Sequence, residues 1–301
     1  STLVGAVAAT DPDNGQMLSY SIVSGNTSGA FAINPSTGAI TVSNSTAIDF
    51  EITPSYILTV KVEDNGTSPL SNQADVTITV LDMNEQPQVS NQSFAINENA
   101  PNTTLVGTVT ATDPDNGQML SYSIVSGNTS GAFAINAATG AITVSNSTAI
   151  DYETTPSYDL TVKVEDNGST PQSTTATVTI TVNDVNEAPV MNDQDFSVVE
   201  FSANGTSIGT PVSSDPDNGQ FHTYAILSGN GSGAFTINPS TGELTVSDST
   251  LLDSSVNPVF TLTVSVTDNG AGNLSDQALI TIYVVEAPNL APVIASQNFT
   301  I

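Results

Sequence analysis

Apolar and polar residues alternate along most of the chain with a period of two. Tyr158, Leu160, Val162 and Val164 alternate with Asp159, Thr161, Lys163 and Glu165, the pattern of a strand with one face in a core and the other toward water. Val178, Ile180 and Val182 repeat it with threonines between them. Phe133 and Ile135, then Asn-Ala-Ala-Thr-Gly140, then Ile142 and Val144 predict a hairpin in which Gly140 takes the left-handed turn position, with Gly38 and Gly242 as its counterparts. Residues 94–96, 105–109 and 122–125 bring the unit to about seven short strands, separated by clusters of Gly, Pro, Asn, Asp and Ser. No helical periodicity competes. The predicted fold class is all-β, built from seven-stranded, immunoglobulin-like Greek-key sandwiches, antiparallel and without the Cys and Trp hallmarks of immunoglobulin domains.

The unit recurs. The stretch ATDPDNGQMLSYSIVSGNTSGAFAIN at 9–34 returns unchanged at 111–136, and a diverged third copy follows. Asp11, Asp113 and Asp215 stand 102 residues apart, as do Asp49, Asp151 and Asp253. A period of that size is an ordinary domain able to bury its own core. The expected organisation is a first repeat over 1–86 that lacks its opening strand, a second over 87–188 and a third over 189–290. Residues 291–301 read as the first strand of a following repeat, or as a strand donated to another copy.

Charge narrows the chemistry. Thirty acidic residues face two basic ones, Lys61 and Lys163, for a net charge of −28. Nucleic acid and anionic membrane surfaces are excluded as partners, because phosphate recognition needs clustered Lys and Arg. The natural counter-ligand is a cation. The absence of Cys removes disulfides, thiolate metal sites and thiol nucleophiles. No window has the apolar length of a membrane span. Of the 30 acids, 21 fall in six recurring positions of the repeat, all at turns or strand ends. Scattered solubilising charge would show no such register.

Six motifs then carry a resemblance: INENAP at 96–101, ATDPDNG at 111–117, FAINAATGAITV at 133–144, AIDYE at 149–153, VKVEDNG at 162–168 and VNDVNEAP at 182–189. In this order and spacing they resemble the cadherin repeat, and the likeness extends over all three units. The resemblance implies cadherin-like sandwiches with calcium held between successive repeats, up to three ions per complete junction. It assigns to the first junction Asp49, Glu51, Asp82, Asn84, Glu85, Asp113, Asp115 and Asp166. To the second it assigns Glu98, Asp151, Glu153, Asp184, Asn186, Glu187, Asp215, Asp217 and Asp268. Asp11, Asp13 and Asp64 would face whatever precedes the first repeat. Independently of the resemblance, carboxylate, amide and carbonyl oxygens on flexible turns suit calcium better than magnesium. The eight carboxylates of the second junction repel one another without metal, so the metal-free junction should flex.

The third junction departs from this pattern. Ser255 stands where Glu51 and Glu153 stand in the other copies, and the linker VEAPNLAP has Leu290 in place of an acid. Glu200, Asp253, Glu286 and Asn289 are weaker candidates there, and this junction is expected to be the most flexible. DPDNG also resembles the start of an EF-hand loop, but Ile124 sits where the bidentate Glu would be. His222 replaces Leu120, has no repeated partner and reads as a surface substitution; no nucleophile with a base emerges, so no enzyme is expected. The expected role is a calcium-stiffened extracellular or cell-surface array, serving as stalk or spacer of a bacterial-type adhesin. The alternatives are a head-to-tail filament assembled by strand donation and a carbohydrate-binding module. The expected partners are neighbouring repeats, identical subunits, or a cell-surface protein or polysaccharide.

Overall fold

The computed structural model describes residues 2–289 and Asn298. The strands fall where the alternation places them. The first repeat contributes β1 (Leu3–Ala6), β2 (Ser19–Ser24), β3 (Phe31–Ile33), β4 (Ala39–Val42), β5 (Ser55–Glu63) and β6 (Ser71–Thr79). The second contributes β7 (Gln92–Asn97), β8 (Leu105–Thr108), β9 (Ser121–Ser126), β10 (Phe133–Ile135), β11 (Ala141–Val144), β12 (Ser157–Glu165) and β13 (Ser173–Asn183). The third contributes β14 (Gln194–Val199), β15 (Ser207–Gly209), β16 (Thr223–Ser228), β17 (Phe235–Ile237), β18 (Leu244–Val246), β19 (Val259–Thr267) and β20 (Ser275–Val285). The expected opening strand of a following repeat lies outside the described residues.

Each complete repeat is a sandwich of a three-stranded and a four-stranded sheet. In the second the orders are β10-β11-β8 and β7-β13-β12-β9; in the third they are β15-β18-β17 and β14-β20-β19-β16. The four-stranded sheet of the third repeat is mixed, a correction to the antiparallel expectation. Gln194 to Val199 pair in parallel with Ile280 to Val285, while β20 and β19 are antiparallel. The first and last strands of a repeat are joined through the whole domain, and a parallel pair needs a crossover of that kind.

The cores follow the period of two. Along β12, Tyr158, Leu160, Val162 and Val164 are buried while Asp159 is exposed. In the third repeat Leu244, Leu252, Leu262, Val264, Ile280 and Ile282 form the centre of one apolar cluster. Gly140 has φ +71°, and a Cβ there would lie 2.6 Å from the Val109 carbonyl oxygen, so the turn requires glycine. On the outward face Lys61 pairs with Glu63 and Lys163 with Glu165.

By backbone contacts the chain divides into two compact units. One holds Ser1–Phe94, Thr103–Ser145 and Asp159–Ile180; the other holds Ala95–Asn102, Asn146–Tyr158 and Thr181–Ile301. The division cuts through the second sandwich rather than between repeats. Every acid assigned to the first junction therefore lies in one unit, and every acid assigned to the second lies in the other.

Candidate metal centres at the repeat junctions

The acids sit where strands give out and side chains leave the in-out alternation. Glu98 and Glu200 follow β7 and β14, Asp166 and Asp268 follow β12 and β19, and the Asp113/Asp115 and Asp215/Asp217 pairs occupy the β8–β9 and β15–β16 loops. The linkers are fastened beside them. Gln88 exchanges two backbone hydrogen bonds with Thr112, and Val190 does so with Ser214, one residue before Asp113 and Asp215 respectively.

In the first unit, Glu51, Asp82, Glu85 and Asp115 each place one carboxylate oxygen within 4.8 Å of the others. The donors come from the turn before β5, from the linker and from the β8–β9 loop. The Glu85 N–H donates to Asp115 Oδ2 at 2.9 Å, and the Asp115 N–H to Asp113 Oδ1 at 3.0 Å. Asn84 donates through Nδ2 to Asp166 Oδ2 at 3.2 Å and receives Gln118 Nε2 on Oδ1 at 2.6 Å. Burial, reinforced by Glu51 and Asp115, holds the Glu85 carboxyl above its ordinary pKa. Burial also raises Asp113. At Asp166 burial pushes the same way, but the N–H groups of Gly168 and Gln172 and the Asn84 amide together outweigh it, and the group lies low.

The second unit repeats the arrangement with one more acid. Glu98, Glu153 and Glu187 converge within 4.8 Å, and so do Glu153, Asp184 and Asp217, so Glu153 belongs to both groups. Glu98 is 3% exposed, its Oε2 accepting the Tyr152 N–H at 2.8 Å and its Oε1 the Val185 N–H at 2.6 Å. The Glu187 N–H donates to Asp217 Oδ2 at 2.8 Å, the Asp217 N–H to Asp215 Oδ1 at 3.0 Å, and Asn186 Nδ2 to Asp268 Oδ2 at 3.0 Å. Burial raises Glu153, with Glu98 and Glu187 adding to it; it also raises Asp184, with Asp217 and Glu98 adding.

The remaining candidates behave differently. Asp49 and Asp151 turn back on their own loops, accepting the N–H groups of Ile52 and Thr154, and are not among the converging oxygens. Asp11, Asp13 and Asp64 line a groove of about 430 Å³ in the first repeat, where no further acid among the described residues joins them. At the third position Glu200 is held low by the Ser254 hydroxyl at 2.6 Å and by the Ala287 N–H at 3.2 Å. The Ser255 hydroxyl holds Asp253 low in the same way. Glu286 and Asn289 join no acidic group among the described residues, and Leu290 lies outside them.

The donor set fits a hard cation. The converging atoms are carboxylate oxygens, which accept and do not donate. Glu85 Oε2 and Asp113 Oδ2 at the first junction are buried oxygens with no hydrogen-bond donor, and the side-chain oxygens of Gln16, Gln118 and Gln220 share that state in all three repeats. Such atoms are costly unless something positive reaches them. Calcium is coordinated by six to eight oxygens of this kind.

Three participants escaped the sequence reading. Gln118 and Gln220 hold the linker amides Asn84 and Asn186; the Gln that follows DPDNG in every copy was the available signal. Asn99 donates to Glu187 Oε1 at 2.6 Å. His222 is not a surface substitution: its side chain is 16% exposed, with Nε2 3.2 Å from Asp215 Oδ2.

Comparison with known proteins agrees in one direction. The family model described as Cadherin domain matches residues 1–81, 92–183 and 194–285. Human Protocadherin Fat 1 is 36% identical over 298 residues, covering 95% of this chain and 6% of that protein. Human Protocadherin-16 is 36% identical over 299 residues, 95% of this chain and 9% of that protein. The chain thus spans less than a tenth of either relative. Mouse Cadherin-23 EC22-24 superposes with a TM-score of 0.74 at 32% identity, covering 95% of this chain and 92% of that one. Human CDH23 EC21-23 gives 0.71 at 28%, with 93% of each chain covered. These relatives are animal proteins and lend nothing to the bacterial-type expectation.

Proposed function

The chain belongs to the cadherin family, and on that premise we propose that it is a calcium-rigidified spacer within the extracellular part of an adhesion protein. It is extracellular, and its family is one of adhesion proteins rather than enzymes. Among the described residues no helix is long and apolar enough to cross a membrane. Neither the filament nor the carbohydrate-binding alternative gains support from the relatives.

The observation that carries the reading is the convergence of Glu51, Asp82, Glu85 and Asp115 from one repeat, its linker and the next repeat. Calcium bound there would supply positive charge shared by oxygens from both sides of the linker, and so oppose bending between them. Glu98, Glu153, Asp184, Glu187 and Asp217 hold the same role at the second junction, with Asp113, Asp166, Asp215 and Asp268 adjoining and the Asn84 and Asn186 amides between them. Up to three ions per junction are proposed; with Asp151 counted as an eighth carboxylate of the second junction, three would leave two uncompensated charges. The functional repeats are taken as 1–86, 87–188 and 189–290. Millimolar extracellular calcium fills sites with dissociation constants of about 0.1–1 mM. Each filled site favours the rigid state by RT ln(1 + [Ca]/Kd). The third junction, whose Glu200 and Asp253 are already satisfied by serines, is the weakest. Neighbouring repeats, identical chains or another cell-surface molecule are the partners this role admits.

Small-angle scattering of the chain in chelator and in millimolar calcium, with calorimetric counting of bound ions, tests the proposal. A longer, stiffer particle and uptake at two junctions are expected. Unchanged dimensions with no bound calcium would overturn it.

A further inference from the structure

The third repeat carries a paired exchange that the other two lack. Ser213 and His222 stand where the second repeat has Ala111 and Leu120 and the first has Ala9 and Leu18. The four groups around them form a continuous hydrogen-bonded chain. Tyr224 Oη lies 2.8 Å from Ser213 Oγ, Ser213 Oγ lies 2.9 Å from His222 Nδ1, and His222 Nε2 lies 3.2 Å from Asp215 Oδ2. The proton order follows from the end of the chain. An ionised carboxylate only accepts, so Nε2 carries the hydrogen. In the neutral ring Nδ1 is then an acceptor, so Ser213 donates to it and takes the Tyr224 hydroxyl proton on its own oxygen.

The equivalent position in the other junction shows what this changes. Asp113 Oδ2 is buried with no donor, whereas Asp215 Oδ2 receives His222. The Asp215 carboxylate is thereby held at both oxygens, Oδ1 by the Asp217 N–H and Oδ2 by the imidazole. We infer that His222, itself oriented by Ser213 and Tyr224, is a positioning residue for the Asp215 carboxylate, fixing it for cation binding and making the second junction better preorganised than the first. The inference rests on the calcium reading of the junctions. Outer partners of ligating groups act in this way, and their loss typically weakens metal affinity by about 10-fold to 100-fold.

The test uses the full chain with the first centre disabled by Glu85→Gln and Asp115→Asn, so that calorimetric calcium titration reports the second junction. His222→Leu installs the residue that the fold already accepts at positions 18 and 120, and is expected to weaken binding by about 10-fold. His222→Gln retains an amide donor near the place of Nε2 and should recover most of that loss, which a merely space-filling histidine would not. In the opposite direction, Ala111→Ser with Leu120→His in an otherwise unaltered chain should tighten the first junction. Nitrogen NMR of the ring should show the Nε2–H tautomer. Unchanged or tighter binding in His222→Leu, no recovery in His222→Gln, or the Nδ1–H tautomer would overturn the inference while leaving the calcium reading intact. Failure of the unaltered chain to take up calcium would overturn both.

Discussion

Glu51→Gln should move stability in opposite directions with and without calcium. Glu51 shares a 4.8 Å sphere with the carboxylates of Asp82, Glu85 and Asp115, and it is the main like charge raising the Glu85 pKa. Two unit charges at that separation repel by about 1 kcal/mol under water-like screening and by about 3.5 kcal/mol at an effective dielectric near 20. Glu51 is only half-buried, so the lower figure applies to most of its pairs. With three like-charged neighbours, and part of the repulsion surviving in the unfolded chain, removing its charge should stabilise the calcium-free protein by about 1–2 kcal/mol. In a domain of this size that is a rise of about 4–16 °C in the midpoint. In saturating calcium the same change removes an anionic donor, and the midpoint should fall below that of the unaltered chain. Scanning calorimetry in chelator and in millimolar calcium reads both limbs, and the calcium-free gain should shrink in high salt as the repulsion is screened. A calcium-free midpoint that drops would show that Glu51 is held by favourable contacts, and the crowding argument would be wrong.

Two further outcomes follow from particular residues. Gly140→Ala should destabilise by more than about 1 kcal/mol in chemical denaturation, because it combines a left-handed backbone with a Cβ 2.6 Å from the Val109 carbonyl oxygen; Gly117→Ala, which also has positive φ but nothing within 4 Å, should cost less. Asp276, whose carboxyl is held low by the Met191 N–H and then by that of Gln277, contributes stability above its unfolded pKa of about 3.9. That contribution is lost as the pH falls through the depressed folded value, so Asp276→Asn should flatten the acid limb of the stability profile measured in chelator, and an identical limb would contradict the assignment.

The strands were legible because one-sided burial writes its period directly into the residues: β12 and β13 can be read from Tyr158 to Val164 and from Val178 to Val182. The acids were legible by register, since repetition separates a positional requirement from scattered charge. What escaped reading depends on distance in the chain. The parallel pairing of β14 with β20 joins segments 86 residues apart, and a strand's own alternation is the same whichever way its neighbour runs. The buried Glu98 carboxylate is satisfied by the Tyr152 and Val185 N–H groups, neither of them near it in sequence. The repeat register does not reveal the partner of His222, because Ser213 changed along with it and neither residue recurs in the other copies. At the third junction the loss of an acid at Ser255 was visible, but not that Ser254 and Ser255 would satisfy Glu200 and Asp253 outright.

Because β14 enters and β20 leaves the third sandwich side by side and pointing the same way, tension applied to the two ends of that domain slides the strands along each other. The six residue pairs from Gln194–Ile280 to Val199–Val285 then bear load together instead of peeling apart one at a time. A domain wired in this manner meets pulling in shear along β14 and β20, a geometry in keeping with the proposed spacer role.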